Sequence, residues 1–81
     1  MYDYDFCTTY TVMAYRGQDY YPCYERGFKT RKGAVNHARK LSEKFPFVKV
    51  VREETYDCGM ELAQPVFKLD KGECVLNRRA A

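Results

Sequence analysis

The sequence predicts an α+β fold, in which an antiparallel sheet of four to five strands carries one α-helix packed on one face. Three observations predict it: apolar residues alternate in residues 7–15, a threonine-capped segment has apolar residues at helical spacing, and the other apolar segments are short and separated by turn residues. The 81 residues suffice for one hydrophobic core. We therefore expect one compact domain over residues 1–81, with residues 77–81 as a frayed tail.

The first two strands are predicted in the N-terminal third of the chain. In residues 7–15, Val12 and Ala14 fall on one face, and the threonines at odd-numbered positions fall on the other. The second strand is predicted over residues 20–28. It contains Pro22, which has no amide hydrogen for a strand ladder, so we expect this strand at an edge of the sheet or with a bulge.

One helix is predicted over residues 31–45. Thr30 directly precedes it and is a good N-cap, because its hydroxyl can accept a hydrogen bond from a free amide of the first turn. The apolar positions recur at intervals of four, three and four residues: Ala34, Ala38, Leu41 and Phe45. Such a stripe is typical of a helix with one face against a sheet. Pro46 is expected to end the helix.

The C-terminal half is predicted to supply the remaining strands. Residues 47–54 read as a strand, with valines on both faces, and the sequence YDCG after Thr55 is a turn signal. A hairpin is predicted from residues 66–69 and 74–76, joined through a turn in which Gly72 suits a left-handed backbone.

Basic residues are concentrated around the predicted helix. Residues 26–42 contain six lysines and arginines and no acid; since the net charge is +3, the rest of the chain must sum to −3. The six are Arg26, Lys29, Arg31, Lys32, Arg39 and Lys40. An ordinary surface helix mixes both signs of charge and gains from the pairs. The absence of acids favours contact with a macromolecule over the alternative, a merely solvated helix face.

Tyrosine is the second unusual feature, because the chain has eight tyrosines and no tryptophan. Tyr20, Tyr21 and Tyr24 follow the first turn and cannot all point inward from a strand with two faces. At least one of them should be exposed. Exposed tyrosine is typical of protein interfaces, where Tyr and Arg are frequent energetic hot spots.

Catalytic chemistry is not indicated by the sequence. His37 is the single histidine, and it falls on the helix among basic residues, whose field favours its neutral form. Glu53 and Glu54 are adjacent in a predicted strand, so they should point to opposite faces. No Walker A loop, GxGxxG, HExxH or GxSxG motif occurs. We expect a protein that is not an enzyme and needs no cofactor.

The cysteines and the termini bear on location. No apolar run approaches the roughly 18 residues of a membrane span, and the N-terminus lacks the pattern of a signal peptide. We therefore expect a cytoplasmic protein without a membrane partner, and its cysteines to be reduced and buried as small apolar residues. The four are Cys7, Cys23, Cys58 and Cys74. A zinc site with His37 as a member is the alternative, although no CxxC pair is present.

The segment GFKTRKGAVNHARKLSE resembles two kinds of phage protein. Phe28, Thr30, Arg31 and Ala34 match the strand-to-capped-helix pattern of the N-terminal DNA-binding domains of phage tyrosine integrases. That resemblance implies a curved sheet in the DNA major groove, but the strands here have few basic residues. The segment is also similar to short phage accessory proteins, including several anti-CRISPR proteins, which share a bent sheet with one helix. This second resemblance implies an inhibitor.

These observations lead to one functional hypothesis and one alternative. The hypothesis is a non-enzymatic, small phage-type inhibitor, monomeric or homodimeric, which docks on a host or defence protein or ribonucleoprotein such as a CRISPR effector, in the cytoplasm of the host cell. The alternative is a nucleic-acid-binding protein that contacts phosphates through the basic helix and residues 26–32. The expected partner-binding residues are Tyr20, Tyr21, Tyr24, Arg26, Lys29, Arg31, Lys32, Arg39 and Lys40.

Overall fold

The computed structural model describes residues 6–17 and 20–78, which form one antiparallel sheet and one helix packed on it. The elements in chain order are β1 (Phe6–Tyr15), β2 (Tyr24–Phe28), α1 (Arg31–Leu41), β3 (Phe47–Tyr56), β4 (Glu61–Asp70) and β5 (Glu73–Asn77). The strand order in the sheet is β2-β1-β3-β4-β5. The predicted α+β class, with a single helix on an antiparallel sheet, is confirmed, and the sheet has five strands.

The core lies between α1 and the sheet. Alternation places every second side chain of β1 under the helix, and the antiparallel register sets Val12 opposite Val50 and Ala14 opposite Val48 on that face. The buried cluster consists of Val12, Ala14, Ala34, Ala38, Val48, Val50, Val66, Phe67 and Leu69. Because the two helix positions in it are alanines, the helix backbone can lie close to the valines of the sheet.

The helix begins as predicted and ends earlier. The Thr30 hydroxyl accepts a hydrogen bond from the Gly33 amide at 3.2 Å, which confirms the N-cap. The helix ends at Leu41 rather than at residue 45. Phe45 lies in the turn that follows and packs half-buried against the core. Beyond Leu41 the amides of Glu43 and Lys44 donate to carbonyls three residues back, so the chain tightens into a turn, and Pro46 disfavours helical backbone only at Phe45.

β2 is shorter than predicted. It begins at Tyr24, and residues 20–23 precede it as non-strand backbone. Pro22 cannot donate to a ladder, so regular pairing starts only after it, with the Cys23 amide donating to the Ala14 carbonyl at 2.8 Å. β2 lies at an edge of the sheet, as the proline predicts.

β3 and β4 are longer than predicted, and together they form a hairpin that extends past the helix. The predicted turn after Thr55 is present, with Gly59 at φ 89°. β4 then begins at Glu61, whereas the sequence indicated a strand from residue 66. Its first half, ELAQP, was missed because its polar and apolar residues do not alternate and it ends in Pro65. The pairing register shifts at this proline, and such an irregularity lets an inner strand tolerate a residue without an amide hydrogen.

The C-terminal hairpin has the predicted left-handed glycine, Gly72, at φ 85°. The tail predicted to fray from residue 77 is ordered for longer than expected. Asn77 ends β5 and accepts a hydrogen bond from the Arg31 guanidinium, and the Arg78 amide donates to the Val66 carbonyl at 2.7 Å. Residues 79–81 lie outside the described residues.

Candidate binding surface

The six basic residues form a surface on the helix side of the molecule, called here the basic surface: Arg26, Lys29, Arg31, Lys32, Arg39 and Lys40. At 100° per residue, Lys32, Arg39 and Lys40 fall within an arc of about 100°. The centre of that arc lies opposite the buried Ala34 and Ala38. Packing of the alanines against the sheet therefore directs these three cations toward solvent.

The flanks of the helix are completed by the other members of the basic surface. Arg26 lies on β2 opposite Val12 and thus on the helix side of the sheet. Lys29 lies in the connection between β2 and α1, where it is exposed. Arg31 opens the helix on the flank that faces β5, where it contacts Asn77. The cations therefore surround α1 rather than forming a single row.

The basic surface is not neutralised by carboxylates among residues 6–17 and 20–78. Within those ranges the ion pair is Arg52–Glu54, at 2.9 Å, and it lies on the part of β3 that extends past the helix. The sequence-based expectation of open, unpaired cations on the helix is thus met in the described part of the chain. Charges without internal partners raise the local positive potential, which attracts acidic surfaces and phosphates.

Three arginines of this surface also stabilise the fold. The Arg39 guanidinium lies 5.2 Å from the centre of the Phe67 ring, and that of Arg26 lies 5.0 Å from the Phe28 ring. Stacking of this kind holds a cation in place while leaving one side of the guanidinium accessible. Arg31 is half-buried. Lys29, Lys32 and Lys40 are exposed.

Tyr20 and Tyr21 are the most exposed of the large apolar side chains described, at 88% and 76%. Their rings meet edge to face with centroids 4.9 Å apart. An edge-to-face pair restricts both rings, so each loses less conformational freedom on contact with a partner. These two residues are called the tyrosine pair below.

Tyr24 is placed differently from the tyrosine pair. Its hydroxyl lies 2.7 Å from His37 Nε2, its ring is half-buried, and it packs against the core. The strand of residues 20–28 that was expected to present all three tyrosines begins only at Tyr24, whose side chain points under the helix. The structure therefore assigns Tyr24 to the packing of β2 against α1, and of the three tyrosines only Tyr20 and Tyr21 are exposed.

His37 lies between the rings of Tyr24 and Phe28, 5.5 and 5.1 Å from their centres. Partial burial lowers the pKa of His37 below its usual 6.5, and the charges of Arg26 and Lys40 lower it further. The ring is therefore neutral at pH 7. With its proton on Nδ1, the neutral ring accepts a hydrogen bond from the Tyr24 hydroxyl at Nε2. These contacts explain the histidine as part of the packing of α1 on β2.

The hairpin end beyond the helix is acidic, a feature that the sequence reading did not locate. It carries Glu53, Glu54, Asp57 and Glu61 against Arg52. The net charge of −3 that the sequence leaves for the chain outside residues 26–42 thus corresponds to this end of the molecule. Finding it required the first half of β4, which brings residue 61 opposite Thr55. The protein has a basic helix and an acidic hairpin end.

The cysteines were expected to be buried, and this expectation is wrong. All four are exposed. Cys7 lies on the sheet face away from the helix, Cys58 lies in the β3–β4 turn, and Cys74 lies on the edge strand β5. Over the described ranges, no group of three or more His, Cys, Asp or Glu side chains is arranged to hold a metal ion. The helix of these ranges is too short and too polar to cross a membrane.

Comparison of the chain with protein-family models, curated proteins and solved structures finds no match. The resemblance to phage proteins therefore stays a prediction from the segment around Thr30. The structure defines a small α+β domain with one helix on a five-stranded sheet, a basic surface around that helix and an exposed tyrosine pair.

Proposed function

We propose that this protein is a non-enzymatic binding module that docks on an acidic surface of another protein or ribonucleoprotein through its basic surface and its tyrosine pair. The observation that carries the proposal is the basic surface, whose six cations have no carboxylate partner within the part of the chain that the structure describes. On a helix that serves only the fold, interspersed acids would stabilise the lysines and arginines through ion pairs. A set of like charges is stabilised in this way only when an acidic partner binds over it.

The two parts of the surface have different tasks. The cations raise the rate of encounter with an acidic partner and orient it, an effect that weakens with salt. The tyrosine pair supplies burial of apolar area, since Tyr is among the residues that dominate interface energies. Steering by charge and anchoring by aromatic rings together account for both unusual features of the sequence.

The chain's topology places the tyrosine pair near the last turn of the helix. Residues 20–23 lead into β2 beside the end of β1, and residues 42–46 lead from the helix to the start of β3 beside that same end. The last helical turn carries Arg39 and Lys40. A partner centred on the tyrosine pair would therefore meet these two cations before it meets the ones at the start of the helix.

The nature of the partner follows from the resemblance to short phage accessory proteins. It extends the proposal to a host or defence protein or ribonucleoprotein, of which a CRISPR effector is an example. A protein of 81 residues without catalytic groups in its described part can inhibit by occupying a surface that its target needs. Acidic protein surface is the complement that the charge of the helix requires.

The proposal is tested by affinity capture from the native host with three immobilised proteins, followed by quantitative mass spectrometry. Wild type is compared with Tyr20→Ala/Tyr21→Ala and with Leu62→Ala, which truncates an exposed apolar side chain on the hairpin end beyond the helix. We expect a protein held by wild type and by Leu62→Ala that is depleted at least about tenfold on the tyrosine variant, as hot-spot truncation of about 2 kcal/mol implies. Equal recovery on all three would contradict the proposal.

Nucleic-acid binding is the second candidate, and the number of unpaired cations on the helix favours it. Four to six phosphate contacts would give a plot of log affinity against log salt with a slope of about −4 to −5 for duplex DNA. The test is a gel-shift assay at low salt with duplex and single-stranded probes. A retarded band whose affinity follows that slope supports this candidate, and free migration of both probes eliminates it.

A further inference from the structure

The sheet face opposite the helix carries a shallow groove of about 220 Å³. It lies at the end of the sheet where β1 ends and β3 begins. Its lining combines aromatic and aliphatic side chains with charged ones: Tyr15, Phe47, Val75, Lys49, Lys68 and Asp70. None of these belongs to the basic surface or the tyrosine pair.

Two lysines stand directly opposite each other in this groove. Lys49 on β3 is paired with Lys68 on β4, and the neighbouring pair Val48–Leu69 points into the core, so both lysines project from the open face. Like charges directly opposite on adjacent strands destabilise a sheet. An anion placed between the two ammonium groups would remove that repulsion.

The lysines are not neutralised from within the described chain. Asp70 lies on the same face two residues beyond Lys68, yet no carboxylate of residues 6–17 or 20–78 comes within ion-pair distance of either ammonium. The Lys49 ammonium lies 5.4 Å from the centre of the Tyr15 ring, which holds it over the floor of the groove. Lys49 is therefore held in position, and within the described residues neither lysine has a carboxylate partner.

The rest of the groove is apolar and partly uncovered. Val75 is 60% exposed at a register shift between β4 and β5, and Phe47 is half-buried beside Tyr15. Exposed apolar side chains next to positioned cations match a ligand that carries a carboxylate beside an apolar group. Phosphate alone would leave the Phe47 and Val75 side uncovered.

The size of the groove selects the kind of ligand. Sites for free small molecules usually measure about 300–1,000 Å³ and bury most of the ligand. This groove is smaller and open, so a free ligand would leave much of its surface in water. A side chain presented by a protein needs to fill far less space, because its neighbours contribute contacts outside the groove.

We propose that the groove binds an acidic segment of a protein partner, with a carboxylate between Lys49 and Lys68 and an adjacent apolar side chain against Phe47 and Val75. This inference rests on the proposed function and adds a second contact to it. The groove lies at the same end of the sheet as the tyrosine pair. One partner can therefore contact both at this end of the sheet.

The test is an NMR titration of the ¹⁵N-labelled full chain with a capped pentapeptide in which Glu alternates with Phe. A second peptide has Gln in place of Glu, and a third probe is single-stranded oligothymidylate. We expect shifts of the amides near Phe47, Lys49, Lys68 and Val75 with the Glu peptide. The Gln peptide and the oligonucleotide should leave these amides unshifted at the same concentrations.

Variants sharpen the result. Lys49→Gln and Lys68→Gln should each lower the affinity for the Glu peptide at least about fivefold, which corresponds to the loss of about one kcal/mol of charge interaction. Lys44→Gln should bind like wild type, and the amide spectra show that each variant is folded. The inference is overturned by absent groove shifts, by equal shifts with the Gln peptide or the oligonucleotide, or by equal weakening in Lys44→Gln.

This outcome is separable from that of the proposed function. If the tyrosine variant recovers as much partner as wild type while the Glu peptide still shifts the groove amides, the tyrosine pair is not an anchor of the docking surface and the groove inference is upheld. If capture succeeds and the groove amides do not move, the groove inference alone is wrong.

Discussion

The two faces of the sheet differ in what they do for the fold. The helix face packs Val12, Val50 and Phe67 fully out of water. On the open face, Thr11 and Val51 are the buried residues of the described chain, and no carboxylate of residues 6–17 or 20–78 pairs with Lys49 or Lys68, which lie opposite each other there. One packed layer therefore holds this small domain together. The other face can carry side chains that suit a partner although they do not stabilise the fold.

The largest effect should come from truncating the centre of the packed face. Phe67→Ala is expected to lower the free energy of unfolding by about 3–5 kcal/mol, because it removes a fully buried ring and leaves a cavity. Phe47→Ala on the open face removes the same atoms from a half-buried position and should cost clearly less. Urea denaturation followed by circular dichroism measures both. Equal losses would contradict the asymmetry between the two faces.

A smaller effect is expected where the helix meets the sheet. Ala38 is fully buried against the sheet, so Ala38→Leu should overpack the contact and cost about 1–3 kcal/mol. Asn36→Leu adds the same side chain on the exposed side of the same helix, where the change should stay within about 0.5 kcal/mol. Thermal unfolding of the two variants makes the comparison. If Ala38→Leu is no less stable than Asn36→Leu, α1 does not pack as closely as described.

A third prediction concerns the N-cap of α1. Thr30→Ala removes the hydroxyl that accepts from the Gly33 amide and should cost about 1 kcal/mol. Thr30→Ser keeps that hydroxyl and serves as the matched control, with stability close to wild type. Denaturant midpoints of the three proteins give the answer. A Ser variant as unstable as the Ala variant would mean that the cap is not what stabilises the helix start.

The smallest effect concerns pH at the junction of β2 and α1. The pKa of His37 is lowered in the folded state by burial and by the charges of Arg26 and Lys40, so the unfolded chain binds more protons between that lowered pKa and 6.5. The stability that the neutral ring contributes is complete above pH 6.5 and is lost as the pH falls through that window.

His37→Gln is the control for this prediction, because Gln does not titrate. Unfolding free energies of wild type and variant, measured between pH 7.5 and 5, should converge as the pH falls, because wild type loses the contribution of the neutral ring. A constant difference across that range would show that His37 has the same pKa in both states. Carboxylates elsewhere affect both proteins alike and drop out of the comparison.

What the sequence predicts well is local. The Thr30 cap and the alternation of Val12 and Ala14 follow from neighbouring residues, and both are confirmed. The first half of β4 could not be predicted, because a segment without alternating apolar residues that ends in Pro65 becomes a strand only through pairing with β3, which a local pattern does not record. The same holds for Tyr24 and Cys7, whose burial or exposure depends on which strand face the helix covers.

The candidate sites divide along the same line. The cations of the basic surface lie close together in the sequence, so this surface could be located without the structure. The structure added that no carboxylate of the described residues pairs with them. The groove with Lys49 and Lys68 could not, because the two lysines are 19 positions apart in the chain and meet only through the register of β3 and β4.

The central claim is that the exposed lysines of the basic surface are free for a partner because the fold does not depend on them. The free energy of unfolding of Lys32→Gln/Lys40→Gln at low ionic strength tests this most directly. Both side chains are exposed, and no acid of the described chain pairs with them, so the variant should match wild type within about 0.5 kcal/mol or be slightly more stable. A loss of more than about 1 kcal/mol would show that the chain's own carboxylates hold these lysines, and the claim would be wrong.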